Sequence, residues 1–189
     1  MNQEPAAGVR RGKKVYWMAA AALMTAVTCV LAPLSVPIGP VPISLTNLAI
    51  YFSLYLLGWK WGAASYLVYM LIGMTGLPVF SGFTGGLGKL AGPTGGYIVG
   101  FLPMAVIAGL AIERFRSRGI HLAGMALGTA VCYAFGTAWY CLIGNIPPAA
   151  ALGACVLPFI PFDFGKMVLA MAAGPMIRSR LEQAGLYRR

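Results

Sequence analysis

The 189 residues hold only four carboxylates, one histidine and four cysteines, a sparse set for acid–base, thiolate or metal chemistry. Three of the acids, Glu4, Glu113 and Glu182, stand among basic residues near the ends of apolar runs. The fourth, Asp163, precedes Lys166 by three residues in "FIPFDFGKMVLA", at the start of the last apolar run. On a helix that spacing puts carboxylate and ammonium on one face. Together they can accept from N–H groups and donate to a strongly accepting oxygen. Ionisable residues inside a membrane are costly and by default mark a cavity or a pathway. The bland alternative is a self-neutralising pair that softens the cost of its own burial.

The remaining reactive side chains exclude several classes of chemistry. Cys29, Cys132, Cys141 and Cys155 sit in apolar runs, with neither a CxxC pair nor a histidine at ligand spacing, so packing is their expected role and neither a metal nor a cofactor is expected. His121 lies beside the basic turn "ERFRSR" (113–118), where an interfacial histidine needs no special explanation. Nothing arranges a nucleophile with a base, and the chain is not expected to be an enzyme.

What must position Asp163 and Lys166 is set by composition. With 59% hydrophobic and 10% charged residues and a mean hydropathy of +0.79, the chain cannot hide its apolar surface within a water-soluble globule. A bilayer core about 30 Å thick takes about 20 apolar residues per helix, which allows roughly six spans here. The expected fold is therefore an all-α integral membrane protein, a single domain of six transmembrane helices over 15–177, with basic tails at 1–14 and 178–189. The apolar runs are 15–32, 43–58, 62–74, 97–112, 120–143 and 161–177. Between the first two, Pro33, Pro37, Gly39, Pro40 and Pro42 require a loop. Trp59 and Trp61, flanking Lys60, are expected as interfacial anchors.

Six spans put both termini on one side, and charge identifies it as the cytoplasmic side. Arg10, Arg11, Lys13, Lys14, Lys60, Arg114, Arg116, Arg118, Arg178, Arg180, Arg188 and Arg189 then all face inward, 12 of the 14 basic residues; Lys89 and Lys166 fall in the outer half. The net charge of +10 is thereby mostly topology, and the charge is too scattered for a nucleic-acid face. A basic start before an apolar run also resembles a cleaved signal. No small-x-small site follows the run, however, and Ala26-Val27-Thr28-Cys29 is not a lipoprotein site, so the segment is expected to stay as the first helix.

The stretch from Gly76 to Phe101 holds nine glycines in 26 residues, which suits backbone that turns sharply and closely approaches a ligand or another segment. At membrane depth, irregular backbone is tolerated only where protein covers it or it lines a cavity. The expectation is an outer loop between helices 3 and 4 that caps a pocket; a flexible loop without a ligand is the alternative. There is no GxxxxGK[ST] phosphate loop in the chain, so ATP hydrolysis must come from elsewhere.

"GLPVFSGFTGGLGKLAGPTGGYIVGF" (76–101), with "VPIGPVPISLTNLAIY" (36–51) upstream and "PFDFGK" (161–166) downstream, closely resembles BioY, the biotin-specific substrate-binding subunit (S component) family of energy-coupling factor (ECF) transporters. The similarity extends from about Tyr16 to Arg180. It implies a subunit that captures biotin from outside, in the cytoplasmic (inner) membrane of a prokaryote, partnered by a membrane coupling protein and two ATPase subunits. In the family an alanine pair on the first helix docks the coupling protein. Ala22 and Ala26 in "YWMAAAALMTAVTCVLA" match it, with ordinary packing inside the bundle as the competing role.

The residue chemistry suits biotin independently. Its ureido ring carries two N–H donors and one accepting oxygen, which Asp163 and Lys166 can serve. Phe80, Phe83 and Tyr97 are expected to bury the apolar bicycle. Lys89, with loop amides around Gly85 and Gly86, is expected to hold the tail carboxylate, and Asn47 to face the site. The same scaffold tuned to another vitamin is the related reading. A passive channel is the distinct one, but it would carry polar rings along several helices, whereas these ionisable groups cluster at one end.

Overall fold

A computed structural model of the chain describes residues 5–185, with side chains described from Lys14 onward. Its helices are α1 (Pro5–Leu31), α2 (Thr46–Met74), α3 (Leu87–Ala91), α4 (Gly95–Arg114), α5 (Arg118–Gly144), α6 (Pro148–Cys155) and α7 (Ile160–Gln183), with two short strands, β1 (Ser35–Val36) and β2 (Ile43–Ser44), between α1 and α2. Four of these helices, α1, α4, α5 and α7, are long and apolar enough to cross a membrane by length and composition. The described residues hold seven helices, these four being the candidate spans where six spans were expected. The proline-rich segment forms a small antiparallel hairpin pairing Ser35 with Ser44, and the Gly-rich stretch and the connection between the last two apolar runs each contain a short helix.

The second and third apolar runs fall in one element, α2, which is broken at Gly58. Leu54 and Gly62 would stand about 12 Å apart along a straight helix. Instead, a Cβ built on Gly62 would lie 3.3 Å from the Leu54 Cα. The chain therefore doubles back, and the two halves of α2 lie side by side. Gly58 makes the reversal with φ 78° and ψ 176°, a region essentially closed to residues with a side chain. From α4, Glu113 meets the reversal, its Oε2 accepting the Trp59 amide at 3.2 Å. The carboxylate thus satisfies a backbone donor that the break would otherwise leave without a partner.

Close approach of small residues joins α4 to α5, as expected where lipid removes any hydrophobic drive between helices. On α5, Gly124 faces Ala111, Gly128 faces Met104 and Gly136 faces the Tyr97 ring; on α4, Gly100 faces Cys132. Buried hydroxyls tie the other elements together: Thr25 to Ser65 (3.1 Å), Tyr51 to Thr129 (2.6 Å), and Tyr66 to the Ile98 carbonyl (2.7 Å). Gly174 of α7 accommodates Tyr55 of α2.

Helix ends differ from the apolar boundaries. α1 begins at Pro5 and α7 continues to Gln183, so both expected tails are partly helical. Arg178 donates to Glu182 at 3.0 Å across one turn. Lys60, Arg116, Arg118 and Arg178 line one cavity beside Gly58. Asp163 lies fifteen residues before Arg178 on α7, about 22 Å along the axis, so the basic groups occupy the other end of the bundle. Arg10, Arg11, Lys13, Arg188 and Arg189 lie outside the described side chains.

Candidate functional site

Helix α7 turns one face inward. Asp163, Met167, Ala170 and Gly174 are its buried residues, while Phe162 and Phe164 point outward. Asp163 is 6% exposed, and its carboxylate draws three elements together. Oδ1 accepts from Asn47 Nδ2 at 2.8 Å and from Lys166 Nζ at 3.0 Å, and Oδ2 accepts from the Tyr133 hydroxyl at 2.6 Å. Position near the helix N-terminus favours the negative charge. Lys166 donates also to the Ser44 carbonyl at 2.7 Å, which explains the hairpin: β2 delivers that carbonyl and the chain enters α2 one residue before Asn47. The ion pair is thus held by a carbonyl, an amide and a phenol as well as by its own attraction, and both side chains face the same cavity.

That cavity measures about 60 Å³. Its polar wall is Ser44, Thr46, Asn47, Thr94, Thr129, Tyr133, Asp163 and Lys166; Tyr66, Tyr69, Phe80, Tyr97, Phe101 and Phe159 supply aromatic surface. Such a lining, mostly apolar with a few convergent polar groups, is typical of small-molecule sites, although these usually enclose about 300–1,000 Å³. A ligand larger than a few waters can enter only if a wall moves. Phe80 and Ser81 of the Gly-rich segment form part of that wall. The segment is held to the hairpin through the Gly82 amide on the Pro33 carbonyl (3.1 Å) and to the end of α2 through the Gly86 amide on the Gly73 carbonyl (2.7 Å).

Of the residues expected from sequence, Asp163, Lys166, Asn47, Phe80 and Tyr97 line the cavity together. Lys89, Phe83, Gly85 and Gly86 do not. Phe83 is 65% exposed with a positive φ of 56° at the tip of a tight turn closed by Phe80 and Thr84. Gly85 is needed because a side chain there would meet the Leu77 carbonyl, and Gly86 serves the α2 end. Their glycines shape the loop instead of facing the cavity. Lys89 is half-buried on α3, where loss of solvent lowers the proton affinity of its amine. Ala22 and Ala26 are exposed on α1, while Ala21, Thr25 and Thr28 face the bundle, so the alanine pair is not spent on internal packing.

Sequence reasoning missed Tyr133, Ser44 and Thr94. Tyr133 is one of nine tyrosines with no local pattern to mark it, and Ser44 acts through its backbone. Cys132, expected only to pack, reaches the cavity wall as well.

A family model described as the BioY family matches residues 3–183. The chain belongs to the BioY family. It is similar to the biotin transporter BioY of Thermotoga maritima, 39% identical over 151 residues, covering 79% of this chain and 88% of the relative. The probable biotin transporter BioY of Pyrococcus horikoshii is 40% identical over 150 residues, with coverage of 79% and 88%. Among solved structures, the S-component for biotin from an ECF-type ABC transporter superposes with a TM-score of 0.81 at 32% identity, covering 89% of this chain and 93% of that one. BioY membership and the four long apolar helices together make this a multi-pass membrane protein.

Proposed function

We propose that the chain captures biotin at its outer face and serves as the substrate-binding subunit of an ECF-type transporter, with ATP hydrolysed by separate subunits. The observation that carries this reading is the polar cluster on the cavity wall: a buried carboxylate beside a partly buried ammonium, 3.0 Å apart, within an aromatic surround. Asp163 accepts from ureido N–H, Lys166 donates to ureido oxygen, and Asn47 and Tyr133 hold the carboxylate in place. Phe80 and Tyr97 cover the apolar bicycle. Because the cavity is smaller than such a ligand needs, the segment 77–96 opens to admit biotin and closes over it, and Lys89, Phe83, Gly85 and Gly86 travel with it. In this reading the two halves of α2 cross separately, giving six spans with α1, α4, α5 and α7. Both termini lie in the cytoplasm of a prokaryote whose inner membrane holds the protein, as the basic residues gathered beside Gly58 support. The exposed Ala22 and Ala26 face a membrane coupling protein, which joins two ATPase subunits.

Uptake of labelled biotin by a biotin-auxotrophic cell provides the test. Expression of this chain with an ECF module restores accumulation, excess unlabelled biotin abolishes it, and excess thiamine leaves it unchanged. Competition by thiamine, or no accumulation by a well-expressed chain, contradicts the proposal.

A further inference from the structure

At the start of α4 stands a threonine that forgoes its ordinary role. Thr94 occupies the N-cap position, where a hydroxyl normally accepts a hydrogen bond from a first-turn amide, yet its side chain makes no cap bond. Only its carbonyl joins the helix, accepting the Ile98 amide at 3.2 Å. Thr94 is 6% exposed, it lines the same cavity as Asp163, and among the described residues its Oγ1 is the buried side-chain polar atom left without a hydrogen-bond partner. A buried hydroxyl without a partner costs stability, so its presence calls for an explanation. The amide of Gly95 is used locally, by the Gly92 carbonyl at 3.1 Å, while no side chain caps those that follow. A helix of 20 residues thus presents the positive end of its dipole, with a hydroxyl donor, at a cavity wall.

We infer that Thr94 and the N-terminus of α4 hold the carboxylate of the bound ligand. Resting on the biotin reading above, this assigns the two ends of the ligand to different elements: the ureido ring to α7 and the carboxylate to α4. A carboxylate is an acceptor without donors, and Thr94 Oγ1 with the following amides offers donors without acceptors in need. The anion also lies where the helix dipole favours negative charge. Lys89, on the short helix before α4 and off the cavity wall, is then not the direct partner of the carboxylate in the closed site.

Calorimetry with biotin and its neutral amide, on wild type, Thr94→Val and Thr94→Ser, tests the assignment. Valine keeps the shape and removes the hydroxyl. Wild type binds biotin more tightly than the amide; Thr94→Val weakens biotin about tenfold, the scale of one hydrogen bond to a charged group, and weakens the amide less, because its neutral carbonyl is the poorer acceptor. Thr94→Ser restores the preference. Ligand-free Thr94→Val melts no lower than wild type, because the hydroxyl it loses had no partner. Unchanged biotin affinity in Thr94→Val, an equal loss for biotin and amide, or a lower melting temperature without ligand each overturns the inference. A wild type that binds neither compound fails the biotin reading itself and takes the inference with it, an outcome distinct from the other three.

Discussion

Neutralising Asp163 isolates what its charge contributes, because asparagine can keep nearly every contact. In Asp163→Asn the amide oxygen can still accept from Asn47 and Lys166 at the Oδ1 position. The new NH₂ then faces Tyr133, whose hydroxyl can turn to accept. What disappears is the negative charge beside Lys166, whose side chain is 12% exposed and whose other partner is the Ser44 carbonyl. Breaking a buried pair from one side costs about 3–5 kcal/mol, and the retained geometry argues for the low end, about 3 kcal/mol. For a chain of this size that lowers Tm by about 10 °C. Lys166→Met strands the carboxylate instead, though Asn47 and Tyr133 still solvate it, so about 2 kcal/mol is expected. In the double variant neither charge remains. Its destabilisation should then fall below the sum of the single values by about 2 kcal/mol, the coupling of a contacting pair. Thermal unfolding of the ligand-free protein in detergent, with all four members of the cycle in parallel, measures this. Additive losses would refute the reasoning and mean that the two charges are not energetically joined despite the 3.0 Å separation.

Gly58→Ala forces a Cβ into a backbone region essentially reserved for glycine and within 2.8 Å of Glu113 Oε2; a loss of about 2 kcal/mol in thermal stability is expected, and an unchanged melting curve would remove the reversal from the account. Tyr133→Phe deletes the donor on Asp163 Oδ2, so biotin affinity measured by calorimetry should fall roughly tenfold, with Lys166 still paired. Ala22→Leu with Ala26→Leu alters an exposed face: binding by the isolated chain should persist while co-purification with the coupling protein and cellular uptake are lost. If uptake survives that double substitution, the alanine pair is not the docking face.

Much of the fold and about half of the site could be read from residue patterns, for identifiable reasons. Apolar runs flanked by basic residues marked the long helices, since transfer into lipid dominates their energetics. Asp163 and Lys166 stood out because charge in an apolar run is expensive enough to be informative, and Asn47, Phe80 and Tyr97 joined them at the cavity. Helix ends were missed where the helix outlasts the apolar run: charged residues at Arg178 and Glu182 sustain α7 through an i,i+4 pair that hydropathy does not register. Two apolar runs became one broken element because Gly58 reverses the backbone in a single residue and leaves helical hydrogen bonding on both sides. Lys89 suggests a carboxylate partner by its charge, Phe83 a stacking surface by its ring, and Gly85 and Gly86 a ligand-facing loop by glycine density, yet none of the four lines the cavity. Glycines that let backbones touch, as at Gly85 and Leu77, look the same in sequence as glycines that admit a ligand. Tyr133 and Thr94 matter through long-range placement across α4, α5 and α7, and no local spacing encodes that.

Calorimetric titration of biotin into the purified, detergent-solubilised chain, with desthiobiotin and thiamine beside it and Asp163→Asn and Lys166→Ala beside wild type, tests the ion-pair anchor most directly. Saturable biotin binding, with thiamine excluded and affinity lost in both variants while each remains folded, is the predicted result. Biotin bound equally well by Asp163→Asn and Lys166→Ala, or not bound at all by a folded wild type, would contradict the claim that this ion pair anchors the vitamin.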